Sequence, residues 1–199
     1  MEKLNLVKQH PAYYKAQNKP VEVEIEPVHC LTISGIGAPE EERFQSSVGA
    51  IYAVAYTVKK YAKSEQNDFV VPKMEAFWWV DEGLVFDETP KSDWQWQLMI
   101  RMPDLVSDEH VDQAVEEVIK KKGICLANEV QLKAIHEGRC VQVLHVGSYY
   151  EEGPSIKKIL EYMKSNGLEM NGYHHEIYLS DPTRTAVEKL KTIIRYAVK

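Results

Sequence analysis

This chain repeats itself. Residues 31–37, LTISGIG, are answered by residues 141–147, VQVLHVG, and each run stops at a glycine before an acidic helix start. Further on, FWWV at 77–80 is answered by EIYL at 176–179. LMIRMP at 98–103 is answered by TIIRYA at 192–197, with Ile100-Arg101 matching Ile194-Arg195. Each half reads strand, helix, strand, strand. A repeated unit restricts the fold, because both copies must bury the same kind of face. The expected fold is α+β, with two pseudo-symmetric strand-helix-strand-strand repeats forming an antiparallel sheet. Its helices lie on one side and a central ligand groove separates the halves. The expected organisation is an N-terminal arm at 1–20 and one domain at 21–199. Its halves span about 21–105 and 138–199, with a linking helix at about 108–122.

Local patterns place the elements. VEVEI at 21–25 alternates as a strand does, and 28–37 forms a second strand closed by glycines. Acidic residues from Glu40 to Glu42 suit the positive end of a helix dipole. The helix that follows carries Phe44, Val48, Ile51, Val54, Ala55 and Val58 at helical spacing. Strands are expected at 74–80 and 94–102. The linking helix starts at Ser107-Asp108-Glu109 and stops at Gly123. After the strand at 140–147, Glu151-Glu152 opens a helix with Ile156, Ile159, Leu160 and Met163 on one face. GYHHEIYLSDP, residues 172–182, reads as a strand ended by Asp-Pro, and 190–198 closes the chain.

Composition narrows the function classes. The formal net charge of −6 argues against a nucleic-acid surface. Three separated cysteines, Cys30, Cys125 and Cys140, lack the spacing of a disulfide framework or a zinc knuckle. MEKLNLVKQHPAYYK lacks the apolar core of a signal peptide. No run of about 18 apolar residues is long enough to span a membrane. These readings point to a cytoplasmic protein without membrane or nucleic-acid partners, monomeric or homodimeric. Eleven Tyr, four Trp and four Phe crowd into short segments, as suits an apolar cleft.

HHEIYLSDP followed by KLKTIIRYAV resembles the C-terminal signature of GyrI-like small-molecule-binding proteins. FWWV, WQWQLMIR and VLHVGSYYEEGPSI are similar to stand-alone members of that family, and the resemblance runs from about Val21 to the end. It implies two strand-helix-strand-strand repeats and an aromatic groove with a glutamate at its floor that meets cationic or polarised drugs. It also implies that some stand-alone members hydrolyse the strained cyclopropane of DNA-alkylating cyclopropanoid compounds.

Strand parity then picks out residues. His174, Glu176, Tyr178 and Ser180 share one face, and Tyr173, His175, Ile177 and Leu179 share the other. Ile177 and Leu179 suit packing beneath the helices, which would turn Glu176 toward the groove. On pattern alone, Glu176 is an ordinary solvated strand residue; the resemblance makes it the candidate base. A carboxylate among aromatics can attract a cation, aided by cation–π contacts of roughly 0.5–2 kcal/mol, or take a proton from water. Tyr149, Tyr178 or His174 could supply the donor that polarises a substrate carbonyl. Trp78, Trp79, Trp94, Trp96 and Tyr56 are candidate ligand-stacking rings, with core packing as the plainer reading. Adjacent strand residues point apart, so His174 and His175 do not share a metal; neither a metal site nor a cofactor is expected.

Three functions remain: a detoxifying hydrolase of cyclopropanoid alkylators, a non-catalytic protein that sequesters flat apolar or cationic aromatic compounds, and an inhibitor that binds a topoisomerase-type partner.

Overall fold

The computed structural model describes residues 3–199. Met1 and Glu2, at the start of the expected arm, lie outside the described residues, as does the side chain of Asp87. In chain order the helices are α1 (Leu6–Gln9), α2 (Pro11–Tyr14), α3 (Glu42–Ser64), α4 (Asp108–Lys122) and α5 (Gly153–Ser165). The strands are β1 (Val21–Ile25), β2 (Val28–Ile36), β3 (Glu75–Trp79), β4 (Gln95–Met102), β5 (Gln131–Ile135), β6 (Gly138–Val146), β7 (His174–Tyr178) and β8 (Lys191–Ala197). This is an α+β fold, and the strand pairs within each unit are antiparallel. Among the described residues, no helix is long and apolar enough to cross a membrane.

The chain forms two compact units. Val28–Ile135, with the residues up to Leu6, makes the first; Val7–Pro27 and His136–Lys199 make the second. In the first unit the strand order is β3-β4-β2-β5, and in the second it is β1-β6-β8-β7. Each unit thus contains one strand-helix-strand-strand repeat plus one strand that sequence order would give to the other. β1 precedes β2 but pairs with β6, with Val21 opposite Gln142. β5 precedes β6 but pairs with β2, with Ile135 opposite Val28. Only Glu26 and Pro27 separate β1 from β2, and that link has none of the Asn-Gly or Gly-rich chemistry of a tight hairpin. β5 was not expected from sequence. It is a short edge strand with mostly exposed side chains, so it has no buried face to mark it.

In the first unit, α3 buries Phe44, Ala50, Ile51, Val54, Ala55 and Val58 against the sheet. Trp96 of β4 lies directly under Gly35 of β2, where an added Cβ would meet the indole at 2.3 Å. Only glycine leaves room for that ring. α4 packs on α3. The Ser107 hydroxyl accepts the His110 backbone N–H at 3.4 Å, and the Ser107 N–H donates to His110 Nδ1 at 3.2 Å. This reciprocal cap ties up two N–H groups that would otherwise lack partners. Gly123, at φ 68°, closes the helix in the left-handed region that favours glycine.

In the second unit, Ile159 and Met163 of α5 close a core with Val141, Val143, Ile194, Tyr196 and Val198. The opposite face of this sheet is covered by residues 12–17. Gln142 Nε2 donates to the carbonyls of Ala12 and Lys15, both at 3.1 Å, and the Leu144 N–H donates to the Gln17 carbonyl at 2.6 Å.

Candidate active site

Burial along β7 alternates: His175 and Ile177 are sealed, while His174, Glu176 and Tyr178 keep some exposure. The expected parity holds, but the expected covering of the two faces does not. Glu176 is opposite Ile194 of β8, and Ile194 is opposite Val143 of β6, so all three share a face. That face is the one α5 packs on. On the face carrying His175, its cross-strand neighbour Arg195 and Gln142 meet Ala12, Tyr13 and Lys15 of the N-terminal segment, read from sequence as an arm. The main helix of the unit therefore lies on the side of Glu176 and brings its N-cap residue into the site.

That residue is Glu152, the N-cap of α5. It is 5% exposed, and its Oε1 accepts no hydrogen bond among the described residues. His174 stands between two carboxylates. Its Nε2 lies 2.9 Å from Glu176 Oε1 and 3.7 Å from Glu152 Oε2, and its Nδ1 lies 2.7 Å from the Tyr196 hydroxyl. Burial opposes a charge on His174, but hydrogen bonds to Glu152 and Glu176 hold its pKa well above that of an ordinary imidazole. Burial, and then the charge of Glu176, push Glu152 up to about 7 against the pull of His174. The arrangement is one imidazolium with two carboxylates, one of which holds its proton near neutral pH.

Tyr149 and Tyr178 form the rest of this site, ring against ring at 5.5 Å and 81°. Tyr149 sits in the turn between β6 and α5, where the Ser148 hydroxyl accepts the Tyr150 N–H at 3.2 Å. Burial raises the Tyr149 pKa first, followed by the charges of Glu176, Glu152 and Asp181. Its phenol thus stays protonated and can donate a hydrogen bond. The structure brings Glu176, His174, Tyr149 and Tyr178 together and adds Glu152 and Tyr196, which sequence reasoning missed. Glu151-Glu152 reads as a solvated helix start, and only the placing of Glu152 beside His174, at 3.7 Å, shows otherwise.

The other candidate rings belong to the first unit. Trp78 stacks on Phe44 at 5.4 Å and meets the edge of Trp94 at 6.0 Å. Trp94 contacts Phe86 at 4.3 Å and donates its indole N–H to the Thr89 carbonyl at 3.0 Å. Trp96, expected as a stacking ring, is fully enclosed between Phe44 and Gly35. Trp78 is likewise buried. Trp79 lies opposite Gln95, on the other face from the Trp78–Trp96 pair. Tyr56 is 56% exposed on α3 and stacks only loosely on Tyr52, at 6.2 Å.

The model of the GyrI-like small-molecule-binding domain matches residues 18–199. The chain belongs to this family. No curated protein matches the GyrI-like chain. Among solved structures it is similar to an uncharacterized conserved protein from Listeria innocua. The identity is 34% and the TM-score 0.92, over 99% of this chain and 100% of that one. It is also similar to two structures described as hydrolases from Listeria innocua. One is 34% identical with a TM-score of 0.88, over 99% of this chain and 100% of the other. The second is 33% identical with a TM-score of 0.90, over the full length of both. This GyrI-like domain thus has structural neighbours described as hydrolases and a family description that specifies small-molecule binding.

Proposed function

We propose that this GyrI-like protein is a hydrolase that opens the strained cyclopropane of cyclopropanoid DNA-alkylating compounds, with Glu176 orienting the attacking water. The observation that carries the reading is the group of Glu152, His174 and Glu176 beside two tyrosine rings. It offers a carboxylate to take a proton and several groups that can give one.

The reaction adds one water. As the water oxygen bonds to a cyclopropane carbon, Glu176 takes a proton from it. The electron pair of the breaking ring C–C bond moves into the conjugated dienone, whose oxygen gains phenolate character and then a proton. His174, Tyr149 and Tyr178 all carry protons suited to stabilising that oxygen. Relief of ring strain drives the step, so orientation and proton transfer are the protein's main contributions. The two tyrosine rings supply edges and faces for a flat ligand.

The test is incubation of the purified protein with a cyclopropanoid compound, following the gain of one water by mass spectrometry. Glu176→Gln keeps the shape and removes the base, and it is expected to cut turnover by about 10²–10⁴-fold. Unchanged turnover in that variant would remove Glu176 from this role. No turnover by the native protein, with saturable quenching of Trp fluorescence, would leave a sequestering protein instead.

A further inference from the structure

The same three side chains suit a second kind of occupant. We propose that Glu152, His174 and Glu176 form a binding site for one divalent transition-metal ion, best matched by zinc(II). One nitrogen and two carboxylate oxygens lie within 4.8 Å of one another. Ligand atoms held about 2.0–2.2 Å from a tetrahedral zinc sit about 3.4 Å apart, so closing the set takes shifts below about 1 Å. A nitrogen with two carboxylates suits zinc, manganese or ferrous iron, and zinc leads these in intrinsic affinity.

Two further observations point to an ion. Glu152 is 5% exposed, and its Oε1 lacks a hydrogen-bond donor among the described residues. A carboxyl oxygen sealed without a donor is costly, and a bound cation satisfies it directly. The His174 and Glu176 side chains keep 11% and 14% of their exposure, so an ion arriving from solvent can reach both. Tyr196 then fixes the ring. With Nε2 on the metal, the Nδ1 proton points at the Tyr196 hydroxyl, 2.7 Å away. An outer partner of this kind sets the tautomer and orientation of a ligating histidine.

From sequence no metal is expected, because no His/Cys spacing suits zinc and His174 and His175 point apart. They do, but the second and third ligands are carboxylates, one of them supplied by α5. The ion would displace the proton His174 carries, and it would occupy the Glu176 oxygen that the hydrolytic reading needs. Metal and turnover therefore compete.

The experiment reads binding alone, with zinc chloride titrated into chelator-stripped full-length protein by calorimetry and thermal melting. One ion per chain and a rise in melting temperature are expected. Glu152→Gln and His174→Gln should each weaken binding at least tenfold, and Tyr196→Phe about 10–100-fold. His110→Gln, at a separate histidine–glutamate contact where His110 Nε2 lies 3.2 Å from Glu65 Oε2, should leave binding unchanged. Circular dichroism reports whether each variant is folded; if His174→Gln is not, Glu152→Gln and Tyr196→Phe decide. No uptake, or uptake that survives Glu152→Gln and Tyr196→Phe, overturns the proposal. Because no substrate is present, its failure and that of the hydrolytic reading are separate results.

Discussion

His174 and His175 are neighbours in sequence, and their surroundings differ in one respect that matters. On the His175 side, Glu137 lies 3.1 Å from His175 Nδ1 and 3.3 Å from Arg195 Nη1. Arg195 also donates to Gln142 Oε1 at 2.9 and 3.0 Å and to the Tyr13 carbonyl at 2.6 Å, with its guanidinium 4.4 Å from the Tyr13 ring centroid. One carboxylate faces two bases, and every group named is buried. On the His174 side, one imidazole faces two carboxylates. Burial opposes charge on both carboxylates, Glu137 and Glu152. In Glu137 the charges and hydrogen bonds of His175 and Arg195 win, and the carboxyl falls to about 2. In Glu152 burial and a like charge win, and it rises to about 7. A carboxylate held firmly charged between two bases ties structure together; one pressed toward its neutral form by a neighbouring like charge is the better candidate to exchange protons or take an ion.

Substitution should break this symmetry in opposite directions. Glu137→Gln leaves buried cationic partners without their anion and is expected to cost about 3–5 kcal/mol, read from the urea midpoint. A loss below about 1 kcal/mol would sink the structural reading of that side.

Acid should expose the same difference more gently. Glu137 titrates near 2 in the folded chain against 4.5 ordinarily, so its contribution is whole above pH 4.5 and disappears as pH falls toward 2. The loss is on the order of 3 kcal/mol. The groups around it are His175, Arg195 and Cys140, whose thiol burial and Glu137 push up to about 12. Glu137→Gln should flatten this acid limb; an unchanged limb would assign it to other carboxylates.

The smallest effect has the opposite sign. Glu152→Gln removes a buried like-charge repulsion, and in metal-free buffer it should raise stability by about 0.5–2 kcal/mol while impairing the site. A loss of stability would mean that Glu152 is structural, like Glu137.

The sequence carried much of this and missed the decisive part. The 108–122 helix is found at the expected residues, because its Ser107 and Gly123 stops are local signals. Strand parity at 174–178 likewise follows from a strict two-residue period. What alternation cannot say is which layer covers which face. The choice between α5 and the N-terminal segment depends on contacts between residues far apart in the chain. Both repeats place a glutamate at the N-cap of their helix, Glu41 and Glu152; one is exposed and the other buried. No local pattern separates them. Trp96 shows the reverse case, since its place in the core is set by Gly35 on the neighbouring strand.

The exchanged strands have a consequence in time. β1 leaves the ribosome well before its partner, because β6 is made more than a hundred residues later, with Val21 meeting Gln142. Until then β1 is an unclaimed edge beside a β2 that it never joins. Such distant pairing slows folding. The nascent chain must hold β1 open until β6 has been made, exposed to neighbours on the same message.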